Sequence, residues 1–226
     1  MAGLGERHVV ITGGDGGLGP AVVAAFAQAG AVCHLPVHRA AGSHPLANVQ
    51  VTGGIDLTNE DAVVGYYAAL PPLAASVHLA GGFKAKPIAE TSRADLLQQL
   101  ELNLVTALLC CREAIKAMRK SGAGRIVNVA ARVVEVPAAG MSAYSAAKAG
   151  VAALTRALAE EVRREGILVN AVLPSIIDTP ANRAAMPTAD HGSWPSPRAI
   201  AETIAFLVSP ANALTSGAIV PVYGRA

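Results

Sequence analysis

The feature that limits this chain most is a series of short Val, Ile and Leu runs without polar alternation. They lie at His8 to Thr12, Val32 to Val37, Ser76 to Ala80, Arg125 to Ala130, Ile167 to Leu173 and Ala218 to Val222. A strand with one wet face alternates between apolar and polar residues, whereas a strand buried on both faces does not. Helical patterns fill the gaps at Leu18 to Ala29, Glu60 to Leu70, Ala94 to Lys120, Ala143 to Glu165 and Pro197 to Val208, and Asn48 to Gly53 is a weaker strand candidate. Strands alternating with helices predict an α/β fold, a doubly wound parallel sheet of the Rossmann-like kind. Its ligand crevice is expected beyond the carboxyl ends of the strands. Gly30, Gly122 and Gly166 stand where helices end, Ser196 and Pro197 open one, and Thr58 with Asp61 resembles a capping box. Residues 1–226 read as a single domain, with a substrate loop or lid expected at 181–195, where Pro187, Gly192, Trp194 and Pro195 interrupt any regular pattern.

Composition removes several classes of function. The 226 residues are 52% hydrophobic and 15% charged, enough to bury one sizeable core. A net charge of +2, with 18 basic residues scattered along the chain, gives no one-signed field for nucleic acid or an anionic membrane. Mean hydropathy is +0.41, but the longest apolar stretch, near Ala21 to Val37, is broken by Gln28, Gly30, His34 and Pro36. A spanning helix needs about 20 apolar residues in a row. Met1 to His8 carries Glu6, Arg7 and His8 and runs straight into a strand, so no secretion signal is expected and a cytoplasmic address follows. Cys33, Cys110 and Cys111 form neither a disulfide framework nor a metal pattern and read as packing residues.

After the first strand come Gly13, Gly14, Asp15, Gly16, Gly17, Leu18 and Gly19, and then a helical run opened by Pro20. Glycine here permits positive φ and keeps side chains away from backbone N–H groups that face a pyrophosphate at a helix N-terminus. Pro20 is tolerated because its missing N–H would have had no partner. The segment is therefore a candidate dinucleotide loop, with Gly13, Gly17, Leu18 and Gly19 as its contacts. Farther along, Tyr144 and Lys148 are four apart on one helix face. An ammonium beside a phenol favours the phenolate and is expected to lower its pKa toward the range of a general acid or base.

The spacing Thr-Gly-x-x-x-Gly-x-Gly resembles the short-chain dehydrogenase/reductase family, and other landmarks extend the likeness over nearly the whole chain. These are Asp56-Leu57-Thr58, Ala80-Gly81, Asn103, Tyr144-x-x-x-Lys148, Asn170 and Pro174 to Thr179. The resemblance implies that Tyr144 protonates the substrate as hydride arrives from a nicotinamide. Lys148 would hold the ribose and bias the tyrosine, and Asn103 would hold a water in the proton path. Asp56 and Leu57 would flank the adenine, Ala80 and Gly81 would let the cofactor pass close to the backbone, and Ile177 and Thr179 would meet the carboxamide. The family places a serine thirteen residues before the tyrosine, where this chain has Ala131. Loss of one oriented donor costs about 3 to 4 kcal/mol of transition-state stabilisation. Three explanations stand: the substrate needs no such donor, Ser142 or another residue supplies it, or the site is dead. Dihydropteridine reductases, a branch that also looks like it carries alanine there, are similar in Leu79 to Phe83 and in Leu173 to Arg183 followed by Met186-Pro187 and Trp194. That likeness implies reduction of a quinonoid dihydropterin, imine or activated carbonyl, since an electron-poor ring takes hydride with less help.

An acid at the end of the second strand would select NAD(H), but this chain has Val37, followed by His38 and Arg39. Arg is shaped for phosphate, so NADP(H) is favoured, with NAD(H) possible. Two other functions compete: a ketone or alcohol oxidoreductase with a substitute for the serine, and a dinucleotide-binding sensor without turnover. The segments Ala94 to Lys120 and Ala143 to Glu165 are apolar on more than one face, which points to a homodimer or homotetramer.

Overall fold

The computed structural model describes residues 4–226; the start of the Met1 to His8 segment lies outside the described residues. Seven strands, β1 (His8–Thr12), β2 (Val32–Pro36), β3 (Val49–Thr52), β4 (Leu73–His78), β5 (Gly124–Val129), β6 (Ile167–Pro174) and β7 (Ile219–Val222), form one sheet in the order β3-β2-β1-β4-β5-β6-β7. Every neighbouring pair is parallel. Successive residues of β1 serve opposite faces: Val9 and Ile11 pack with α1 (Gly19–Gln28) and α7 (Pro197–Val208), while Val10 packs on the side of α2 (Glu60–Ala68) and α4 (Thr106–Ser121). Two buried faces explain the unbroken apolar runs. The weaker candidate is a true strand, β3, and it lies at the sheet edge.

Order reverses between β1 and β4, which sit side by side although they are not consecutive. Their carboxyl ends are laced together: Leu79 N–H donates to Thr12 O at 3.1 Å and Ala80 N–H to Thr12 Oγ1 at 3.3 Å. A Cβ on Gly13, which has φ of +66°, would lie 2.7 Å from Ala80 N, so only glycine permits this approach. The crevice at a reversal of strand order is where doubly wound sheets bind ligands.

Four expectations need correction. The long pattern from Ala94 to Lys120 is two helices, α3 (Arg93–Leu100) and α4, joined by a π turn at Glu101–Val105, in which Thr106 N–H reaches back to Glu101 O. One extra residue in a turn leaves apolar spacing almost unchanged, so the periodicity conceals it. The capping box at Thr58 is absent. Asn59 caps α2 by accepting from Ala62 N–H at 2.9 Å, and Thr58 instead donates its N–H and hydroxyl to Asp56. The stretch 181–195, expected to lack a regular pattern, takes in most of a short helix and a 3-10 turn at His191–Ser193. Thr179 caps α6 (Pro180–Ala185), Trp194 is buried and packs on His191 with ring centroids 4.6 Å apart, and Arg225 N–H donates to Ser193 O. The helix α5 (Ser142–Glu161) ends before a short 3-10 turn, four residues earlier than expected.

Candidate active site

The glycine loop meets a physical test for a dinucleotide. In α1 the first helical bond runs from Val22 N–H to Leu18 O; Gly16 N–H and Gly19 N–H are taken up within the loop by Gly13 O and Gly16 O, whereas the N–H groups of Gly17, Leu18 and Ala21 have no backbone acceptor. A Cβ on Gly19 would collide with Gly14 C at 2.3 Å, and one on Gly17 would meet the Thr179 methyl at 3.2 Å. Gly16 and Gly17 are exposed, whereas Leu18 is buried and anchors the turn in the core. The result is an open cradle of bare backbone at a positive helix end, facing Thr179 across the crevice, and it fits a pyrophosphate. Ile177 lies farther in and packs against the core, and its carbonyl accepts from Asn182 Nδ2. Thr179 Oγ1 is already engaged by Asn182 N–H at 3.2 Å.

At the other end of the crevice, Gly81, Asn103, Tyr144 and Lys148 come together. A Cβ on Gly81 would lie 2.6 Å from Asn103 Oδ1 and 3.5 Å from Lys148 Nζ. The buried Asn103 amide is fully used: Oδ1 accepts from Gly82 N–H at 3.2 Å, and Nδ2 donates to Gly82 O and Gln99 O, each at 3.0 Å. It clamps the loop after β4 onto the π turn. Lys148 Nζ donates to Val129 O at 2.8 Å and lies 5.9 Å from the centre of the Tyr144 ring. Burial lowers the Lys148 pKa to about 8, which leaves the ammonium charged at neutral pH. The Tyr144 phenol does not follow the expected direction: burial pushes it up to about 12. The ammonium is turned toward a carbonyl rather than the phenol oxygen, so desolvation prevails over attraction. Ala131 is buried at the end of β5, and Ser142 is exposed in the first turn of α5.

On the adenosine side the expected residues are less concentrated. His38 lies 3.9 Å from Asp56, whose carboxyl is held below its usual pKa chiefly by the Thr58 hydroxyl and N–H. Arg39 Nε is 3.3 Å from Asp15 in the glycine loop. Leu57 is half-buried and packs against the α2 and α4 core, which leaves it less free to cover a base than expected. Sequence reasoning assigned no part to two residues that the geometry brings forward. Asp15 engages Arg39, and Phe83, which is 60% exposed, stands edge to face with Tyr144 at 5.0 Å and 89°. An acid inside a glycine loop and an aromatic two residues past Gly81 were the available signals.

Comparison with known proteins agrees with this arrangement. A cis-4-hydroxycyclohexanecarboxylate dehydrogenase of Sinomonas cyclohexanicum is 34% identical over 97% of this chain and 96% of its own length. A cyclopentanol dehydrogenase of Comamonas testosteroni is 30% identical over 99% and 98%. The solved structure of ElxO with NADP bound shares the fold, with a TM-score of 0.88, 23% identity and coverage of 97% of this chain and 98% of that one. Residues 7–190 match the short chain dehydrogenase family, so the run from glycine loop to α6 carries the family pattern as one piece. The chain belongs to the short chain dehydrogenase family and is one of its NAD(P)-dependent oxidoreductases.

Proposed function

We propose that the protein is an NADP(H)-dependent reductase of a conjugated cyclic acceptor, such as a quinonoid dihydropterin, an imine or an activated carbonyl. The observation that carries this reading is Ala131, which puts a methyl group where a polarising hydroxyl is expected, beside an otherwise complete Tyr144, Lys148 and Asn103 set. Gly13, Gly17, Leu18 and Gly19 would hold the diphosphate, Arg39 and His38 a 2′-phosphate, Asp56 and Leu57 the adenine, and Ala80, Gly81, Ile177 and Thr179 the nicotinamide end. NADP in the ElxO structure supports the choice of nucleotide. When bound, the reduced nicotinamide supplies the hydride that carries two electrons to the acceptor carbon. Tyr144, protonated at neutral pH, gives its phenolic proton to the acceptor nitrogen or oxygen, so that a C=N or C=O bond gains one hydrogen at each atom. The phenolate left behind draws on the Lys148 ammonium, which lies 5.9 Å from the ring and is held by Val129 O beforehand, and regains its proton from solvent. Segment 181–195 is proposed to cover the substrate. Assembly into a homodimer or homotetramer is supported by exposed Leu97 and Leu108 on α3 and α4.

A second reading is favoured by the names of two relatives, which act on a hydroxycyclohexanecarboxylate and on cyclopentanol. In it the substrate is an alicyclic alcohol or ketone, and Ser142 or another group replaces the missing donor. NADPH oxidation against quinonoid dihydropterin, quinones, imines and cyclic ketones separates the two. The first reading expects turnover of the conjugated acceptors and a loss of about 100-fold or more in Tyr144→Phe. Ala131→Ser should add activity on simple ketones while changing the conjugated acceptors little. Turnover of ketones alone by the native protein would overturn the first reading.

A further inference from the structure

We propose that Phe83 is a specificity-determining residue, an aromatic face on which a flat, conjugated acceptor ring stacks while its reacting atom lies at Tyr144. The inference rests on the functional reading above and narrows its substrate class by shape.

Three observations support it. Phe83 is 60% exposed yet held in an edge-to-face contact with Tyr144, with ring centroids 5.0 Å apart and planes at 89°. One surface of the phenyl ring is therefore spent on positioning, and the rest faces solvent at the mouth of the site. Its backbone is fixed from behind: Asn103 holds both Gly82 N–H and Gly82 O, and a Cβ on Gly82 would lie 2.9 Å from Leu102 Cδ1. The residue preceding Phe83 is thus seated on the π turn, and the ring is presented by a rigid support. Such preorganisation lets an exposed aromatic bind without first losing freedom. Finally, Ala131 offers an apolar methyl where a hydroxyl would have directed a saturated alcohol by hydrogen bonding. Orientation then has to come from another contact, and stacking on an aromatic ring supplies it for planar ligands alone.

A flat ring gains a face of contact that a puckered ring of equal size does not. Turnover is measured with saturating NADPH and binding with the NADP-loaded protein, in each case for the native chain and for Phe83→Leu, which keeps an apolar side chain at an exposed position. The probes are naphthoquinone as flat acceptor, decalone as its saturated counterpart, and a quinazolinone as a flat bicycle that is not reduced. Phe83→Leu should raise KM for naphthoquinone and weaken quinazolinone binding in calorimetry by roughly three- to tenfold. Its kcat on naphthoquinone should stay within about twofold, and decalone binding in calorimetry should stay unchanged. Equal losses for flat and saturated rings, or no loss for either, would overturn the stacking role. If the native protein turns over none of the acceptors, the reductase reading fails, and the quinazolinone measurement still decides the role of Phe83.

Discussion

At Arg39 a cation proposed to meet a 2′-phosphate already has a partner, because the Asp15 carboxylate lies 3.3 Å from its Nε. Arg39 is largely and Asp15 partly exposed, so the pair contributes little to stability. Its importance is competitive, since a bound phosphate must share the guanidinium with Asp15 and sits near a like charge. Asp15→Asn should therefore tighten NADP(H) by about three- to tenfold more than it tightens NAD(H), while Arg39→Ala should weaken NADP(H) by about tenfold or more. Calorimetric titration of each nucleotide checks both. Equal losses for the two nucleotides in Arg39→Ala would remove Arg39 from the phosphate site. Lys148 adds a pH dependence. Its ammonium is lost as pH rises through about 8, so reduction should fall above that point, and Lys148→Arg should carry the limb to higher pH. The residue pairing Tyr144 with Lys148 was legible from a spacing of four. The direction of the phenol's pKa was not, because it depends on Val129 O, a partner from another element that captures the ammonium.

Among the elements, the parallel strands were readable because burial on both faces removes the polar positions that would have blurred them. The π turn was not, and α6 was hidden because six residues bearing Pro180, Asn182 and Arg183 have no room for an apolar stripe. Its support is local: the Thr179 cap and the fork of Arg183 on Asp178. The π turn has a consequence at this scale. Deleting Leu102 would restore ordinary helical spacing and rotate everything before it by about 100° relative to α4. The side of α3 that buries Gln99 would then turn away, and Gln99 O would no longer meet Asn103 Nδ2. The deletion should retain far-UV circular dichroism, lose most turnover and raise amide exchange at Gly82. Retained turnover would show that the extra residue does not position the loop.

For the molecule as a whole, two buried histidines make the core sensitive to acid. His78 is buried in a polar chain from Tyr67 through Ser76 to Asn128 and Thr155, and burial lowers its pKa to about 4; His34 is lowered likewise, by burial first and by His8 second. Below the ordinary histidine value the unfolded chain takes up protons that the folded chain refuses. Stability therefore falls as pH drops from about 6.5 toward about 4. For His78 the loss is about 2 kcal/mol between about pH 7 and about pH 5. Urea unfolding at the two pH values should show this fall in the native protein and a smaller one in His78→Gln, and equal slopes would remove His78 as the cause. No helix among the described residues is long and apolar enough to cross a membrane.

Between β2 and β3 the chain runs through residues 37–48 without a helix. Both ends of that link are tied down, by Gly54 N–H to Arg39 O, Ile55 N–H to Val37 O and Val49 N–H to Leu46 O, and a Cβ on Gly53 would strike Ala41 N at 2.0 Å. Only the exposed middle, around Gly42 and Ser43, is left unanchored. Changes of length confined there cost little closure entropy, about 0.6 kcal/mol for each doubling. That makes Ser43 a suitable attachment point for a dye, four residues along the chain from Arg39 and so placed to signal arrival of a nucleotide there.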